Sequence, residues 1–258
     1  MVKAIFFDID GTLVSFKTHR MSENLKETLH KLQANGVKLF ISSGRSRLVM
    51  DNLDDFPFDG YVAMNGAETT LGGEVIDSHP LPKETAMQVA EIAEREKVPC
   101  WVFAEDVAGI NCSNDRALEI SALTNLRPEN FLDLKEVASN HTVYEYSIFF
   151  DEEQERRLLH PVLKNVGYTR WHPYFMDIVP EGLSKSYGAA RILERIGVTR
   201  EECMAFGDGG NDIPIIEYAG IGVAMGNAAD DVKAAADYVT DTVDEDGIVT
   251  ALERFGVI

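Results

Sequence analysis

Ile5-Phe6-Phe7-Asp8-Ile9-Asp10-Gly11-Thr12 is the stretch that decides how this chain folds. Val2 to Phe7 is apolar apart from Lys3 and reads as a buried strand. The strand stops on two carboxylates, and Gly11-Thr12 then lets the chain turn away. A strand ending in Asp-x-Asp sets two acids at the rim of a sheet, where open α/β folds place their ligands. Side chains alternate along an extended strand, so Asp8 and Asp10 share a side if extension persists. Two like charges that close are costly unless a cation or a shared proton offsets them. A capped strand leading into an ordinary turn would use the same residues, so the rest of the chain has to decide.

Working outward, Ser22 to Asn35 reads as a helix, capped by Ser22 and ended by Asn35-Gly36. Val37 to Ser42 is a second apolar strand, closed by Ser43-Gly44-Arg45, and Ser46 to Leu53 reads as a short helix. Tyr61 to Met64 is a third strand, ending at Asn65-Gly66, and Gly72-Gly73 joins a small hairpin. Strands alternating with helices imply right-handed crossovers and a parallel sheet. The rhythm breaks at Pro80-Leu81-Pro82 and resumes at Ser184. Between them, strands and helices follow without βα repeats, including a helix expected over Glu152 to Asn165. The expected architecture is an α/β, Rossmann-like doubly wound parallel sheet core, residues 1–81 and 183–258, with an α+β domain inserted over 82–182.

The 258 residues carry a formal net charge of −19, with 45% hydrophobic and 26% charged residues. Such an acidic balance argues against nucleic-acid and anionic-membrane partners. No apolar run is long enough to span a bilayer and no secretory leader is evident, so the expected setting is cytoplasmic. Cys100, Cys112 and Cys203 form no CxxC pair, and the six histidines have no metal-type spacing, which disfavours zinc.

Cys203 to Phe206 is a further buried strand, followed by Gly207-Asp208-Gly209-Gly210-Asn211-Asp212. If this strand and the first are both central and parallel, four carboxylates converge on one sheet edge. Hard oxygen ligands of this sort suit Mg²⁺, which keeps several waters and bridges to phosphate. An anionic substrate would need such a cation to be drawn in against the global charge.

Asp8-Ile9-Asp10-Gly11-Thr12-Leu13, Ser43-Gly44-Arg45, Lys185 and Gly207 to Asp212 resemble, in order, the four motifs of haloacid dehalogenase (HAD) superfamily phosphatases. Asn65-Gly66-Ala67 and the long insert resemble the Cof-type branch with a IIB-type cap. The resemblance implies a phosphoric monoester hydrolase that acts on a small phosphorylated metabolite, with sugar phosphates the leading class. It implies that Asp8 attacks phosphorus, that Asp10 acts as general acid and then base, and that Lys185 neutralises charge. It further implies Mg²⁺ held around Asp8, Asp10, Asp208 and Asp212, and substrate contacts from Ser43, Gly44, Arg45, Asn65, Lys185 and Asn211. Ser43 and Ser186 stand where threonine and glycine are commoner in that family. A phosphosugar mutase, or a phosphometabolite-binding protein without catalysis, would carry similar motifs.

Overall fold

The computed structural model describes residues 1–124 and 130–258, apart from the side chain of Trp171. It divides into two compact units, Met1–Ser78 with Ser184–Ile258, and His79–Leu183.

In chain order the first unit opens with β1 (Ala4–Phe7), α1 (Glu23–Ala34), β2 (Lys38–Ser42), β3 (Gly60–Ala63), β4 (Glu68–Leu71) and β5 (Glu74–Ser78). The second holds α2 (Lys83–Glu96), β6 (Cys100–Ala104), β7 (Ala108–Ile110), α3 (Asp115–Thr124), α4 (Leu134–Asn140), β8 (Val143–Ile148), α5 (Glu152–Gln154), β9 (Val166–His172) and β10 (Phe175–Pro180). The chain returns to the first unit with α6 (Lys185–Ile196), β11 (Cys203–Gly207), α7 (Ile213–Tyr218), β12 (Ile221–Ala224), α8 (Asp230–Ala235), β13 (Tyr238–Val239) and α9 (Gly247–Arg254).

The large sheet runs β13-β12-β11-β1-β2-β3-β4-β5. Its strands are parallel from β13 to β3, and β4 and β5 pair antiparallel at one edge. Strand order reverses at β1, because the chain builds outward through β2 on one side and returns through β11 on the other. That reversal opens a crevice at the carboxyl ends of β1 and β11.

Period two along β1 assigns its side chains to two cores. Ile5 and Phe7 pack with Leu25, Leu29 and Leu32 of α1 and Ile248 and Leu252 of α9. Ala4 and Phe6 pack with Ala189, Ile192 and Leu193 of α6. Helices therefore cover both faces, which is the doubly wound α/β arrangement. Asp8 continues the even-numbered row and so falls on the α6 side of the sheet.

Helix α6 starts where Ser184 Oγ accepts the Tyr187 N–H at 3.1 Å and stops at Gly197 in the left-handed region. Its approach to the sheet depends on Gly188. A Cβ there would lie 2.4 Å from Val62 Cγ1 and 2.9 Å from Thr69 Oγ1.

The second unit has its own sheet, β7-β6-β8-β10-β9, whose neighbouring strands pair antiparallel. One row of alternate residues, with Val102, Tyr146, Ile148, Met176 and Ile178, packs with α2 and α4.

Three segments depart from the sequence expectation. Ser46 to Leu53 is no helix but a 3₁₀ turn over Arg47–Val49. The Arg45 guanidinium takes the Val49 carbonyl that a continuing helix would use. The helix expected over Glu152 to Asn165 is α5 followed by a π turn over Glu155–Leu159. Pro161, which has no N–H, cannot extend it. Ahead of β8, where the sequence suggests no helix, α4 forms, with Asp133 accepting the N–H groups of Lys135 and Glu136.

Gly188→Ala tests the close approach of α6. Helix propensity favours alanine by about 1 kcal/mol, but overpacking against Val62 costs about 1–3 kcal/mol. Packing should prevail, with a lower urea midpoint at unchanged m-value. A midpoint equal to or above the parent would contradict it.

Candidate active site

Lys185 is the first residue of α6 and its side chain is fully buried. Its Nζ donates to Asp8 Oδ1 and to Asp212 Oδ1, both at 2.6 Å. Asp212 in turn folds the loop after β11, because its Oδ2 accepts the N–H groups of Asp208 at 3.1 Å and Gly209 at 3.0 Å. Carboxylate oxygens of Asp8, Asp208 and Asp212 lie within 4.8 Å of one another. The crevice at β1 and β11 thus gathers three of the four predicted acids and the predicted lysine.

The fourth acid is turned differently. β1 ends after Phe7, and Thr12 and Val14 both donate backbone N–H groups to the Ile9 carbonyl. The extension that would have set Asp10 beside Asp8 on one face therefore does not persist. Asp10 instead meets Arg45, whose Nε donates to Oδ2 at 2.6 Å and whose terminal nitrogen donates to Oδ1 at 2.7 Å. Such a two-point pairing fixes orientation as well as charge. Arg45 is buried and committed to Asp10 and Val49, so a substrate contact from it would require release of that pairing.

Ser43 is buried, and its Oγ accepts the Arg45 N–H at 3.1 Å. Its hydroxyl proton has no acceptor among the described residues. Asn65 sits in the left-handed region, with φ 52° and ψ 30°, and donates its N–H to the Ser43 carbonyl at 3.1 Å. Asn211 Nδ2 donates to Asn65 Oδ1 at 3.0 Å. Gly44 lies beneath this pair, where a Cβ would stand 3.3 Å from Asn65 Nδ2 and 3.5 Å from Asn211 Nδ2.

Two residues at the site had drawn no role from the sequence. Thr12 Oγ1 donates to Asp208 Oδ1 at 3.3 Å, and Asn227 Nδ2 donates to Asp208 Oδ2 at 3.2 Å. Asn227 follows β12, the strand next to β11, so the available signal was a third strand ending in a polar turn. Gly11 is required where it stands. Its φ is +82°, and a Cβ would lie 2.2 Å from Asp208 Oδ2.

Charge is tightly confined here. Burial pushes the Asp8 carboxyl well up, and Asp212, Asp208 and Asp10 add to that while Lys185 opposes it. Burial and then Asp212 push Asp208 up to about 7, against Lys185 and Thr12. Burial alone would lower Lys185, but Asp212 and Asp8 outweigh it and keep the ammonium charged. Three crowded carboxylates against one buried ammonium leave negative charge uncompensated. An all-oxygen cluster with that deficit fits a hard divalent cation such as Mg²⁺.

A family model described as haloacid dehalogenase-like hydrolase matches residues 5–252. The chain is 34% identical over 262 residues to YkrA of Bacillus subtilis, whose name assigns it provisionally to the phosphatases. That likeness covers 99% of this chain and 98% of YkrA. The chain is also similar to the solved structure of the HAD subclass IIB sugar phosphatase BT4131, at TM-score 0.91 and 40% identity across all of both chains. A further solved structure matches at TM-score 0.93 and 41% identity, again across all of both chains. It belongs to work on a trigonal-bipyramidal intermediate conserved in a phosphoryl-transfer superfamily.

The raised acids set a direction for stability. An unfolded aspartate titrates near ~3.9, so the folded chain holds the Asp208 proton that the unfolded chain releases. Its contribution is full below about pH 4 and is lost as pH rises through about 7. Asp8, and Glu145 in the other unit, carry the same sign. Urea unfolding in a chelator should show a midpoint that falls between pH 5 and pH 8. Lys185→Met should cost about 3–5 kcal/mol, because it leaves buried carboxylates unpaired. That cost should be larger at pH 8, where the acids cannot escape by protonation, and a cost independent of pH would argue against the buried triad.

Proposed function

This chain belongs to the haloacid dehalogenase-like hydrolase family and is a phosphatase of its Cof-type branch, and we propose that it hydrolyses small sugar phosphates with Mg²⁺ as cofactor. The observation that carries this reading is the Asp8–Lys185–Asp212 triad with Asp208 beside it. It supplies a carboxylate at a strand end, a fixed ammonium, and an oxygen-rich place for a cation.

In the proposed reaction Asp8 attacks phosphorus while the bond from phosphorus to the leaving oxygen breaks, and Asp10 gives that oxygen its proton. The aspartyl phosphate so formed is then attacked by water, whose proton Asp10 takes. Inorganic phosphate leaves and Asp8 is restored. The two-point pairing with Arg45 holds Asp10 before the reaction, and at least one of its bonds opens for Asp10 to carry the proton. The unused hydroxyl proton of Ser43 donates to a phosphoryl oxygen, and Gly44, Asn65 and Asn211 form the polar wall beside it. Lys185 offsets charge on Asp8 and on the transferring group.

Asp8, Asp208 and the backbone carbonyl of Asp10 would hold the cation, with Asp212 just behind. When bound, the cation supplies charge neutralisation between a carboxylate nucleophile and a phosphate dianion. Uncatalysed phosphate monoester hydrolysis is slow enough that enzymes accelerate it by up to ~10²¹-fold. Positioning and charge neutralisation are the main resources for phosphoryl transfer.

The insert over 82–182 is the cap that selects the substrate in this reading. The sugar phosphate assignment draws support from BT4131, which is a sugar phosphatase. No helix among the described residues is long and apolar enough to cross a membrane, and a cytoplasmic site of action agrees with a phosphorylated metabolite as substrate.

Purified protein with an aryl phosphate and Mg²⁺ should release inorganic phosphate, and a chelator should abolish that release. A sugar-phosphate panel should show higher kcat/KM than the aryl phosphate. Asp8→Asn should fall to background while keeping its circular dichroism spectrum. Turnover by Asp8→Asn at the parent rate would remove Asp8 as nucleophile, and a rearranged sugar phosphate as product would replace hydrolysis by a mutase reaction.

A further inference from the structure

Asp208 is held from two directions, and one of the holding groups reaches well beyond it. Asn227 Nδ2 donates to Asp208 Oδ2 at 3.2 Å and to the Gly11 carbonyl at 2.9 Å. Asn227 Oδ1 accepts the Val243 N–H at 2.9 Å. These partners fix the amide's orientation, because a flipped amide would set a donor against an N–H and an acceptor against a carboxylate. One side chain from the loop after β12 therefore ties together the loops after β1 and β11 and the segment after β13.

An aspartate's terminal torsion is broad, so hydrogen bonds rather than rotamer preference must set the plane of its carboxylate. At Asp208 those bonds come from Thr12 on one oxygen and Asn227 on the other. A carboxylate already aimed loses less freedom when it binds an ion, and outer partners of this sort govern metal affinity.

We propose that Asn227 is a positioning residue for cation binding, fixing the Asp208 carboxylate against the Gly11 backbone so that the two acidic loops present their oxygens together. The inference rests on reading Asp208 as a Mg²⁺ ligand. Asn227 acts through Asp208 and not on the substrate. If Asn227 served only to latch Val243, its loss would weaken the fold without changing the affinity for the ion.

The test is Mg²⁺ binding by the whole protein, read by calorimetric titration and by the Mg²⁺-dependent rise in Tm, neither of which needs turnover. The parent, Asn227→Ala and Asn227→Asp are compared. Asn227→Asp keeps an acceptor for Val243 but replaces the donor with a second carboxylate facing Asp208. The expected result is Mg²⁺ binding weakened by about 10–100-fold in Asn227→Ala, and by at least as much in Asn227→Asp. In turnover, the Mg²⁺ concentration for half-maximal rate should rise by the same factor, with kcat at saturating Mg²⁺ changing far less. A lower Tm with an unchanged Mg²⁺ midpoint in either folded variant overturns the positioning role and leaves the metal site standing. If Asn227→Ala fails to fold, Asn227→Asp alone decides. No Mg²⁺ response in the parent would defeat the reading of Asp208 as a ligand and this inference with it.

Discussion

A buried ammonium held between two buried carboxylates is the interaction on which the rest of this structure depends. Lys185 stands at the start of α6, the end where the helix dipole is positive. That placement disfavours a cation by roughly 0.3–1 kcal/mol, and burial disfavours it further. Only the contacts at 2.6 Å to Asp8 and Asp212 reverse the balance. The same contacts make two like-charged strand ends tolerable at the crevice where the sheet reverses. A triad of this kind is poor economy if stability were the only end, since well-packed apolar residues would often do as well. Its presence in a phosphatase is better understood as charge arranged in advance for a dianionic substrate.

The sequence made this centre legible because its parts are short, local and regular. An apolar run ending in acids says strand and rim together, and the pattern occurs twice, at Asp8 and at Asp208. Period two carries Asp8 to the α6 face without any further information. Ser184 and Gly197 bracket α6 by capping rules alone. What stayed hidden depends on partners far apart in the chain. Arg45 reads equally well as a substrate contact or as half of an ion pair, and only the turn after Ile9 brings Asp10 to it. Asn227 lies 216 residues from Gly11 along the chain, and an asparagine after a glycine looks like any turn. The missed helix and the overextended ones share a different cause. α4 is only two turns long, and the Arg45–Val49 bond and Pro161 interrupt patterns that otherwise look helical.

The second unit shows how differently buried acid can be handled. Glu145 and Asp177 are both buried on the sheet row opposite the one facing α2 and α4. Ser147 Oγ donates to Asp177 Oδ1 at 2.7 Å and lies 3.4 Å from Glu145 Oε1. Burial and then Asp177 push the Glu145 carboxyl well up, so a proton on Glu145 relieves the repulsion on that side. The first unit relieves it with Lys185. A proton is a local and pH-dependent remedy, whereas a lysine delivered by α6 binds the acids to the architecture.

That dependence gives β1 the character of a phase standard. Its even-numbered residues address one hemisphere of the fold and its odd-numbered residues the other. A single inserted residue before Asp8 would turn the carboxyl to the side of α1 and α9, across the sheet from the lysine, while leaving composition and motif intact. Two inserted residues would restore the side but carry the carboxyl about 7 Å along the strand, beyond the reach of a hydrogen bond. The four residues Ala4–Phe7 thus fix both the side and the depth at which the Asp8 carboxyl meets Lys185, and in this strand length matters as much as residue type.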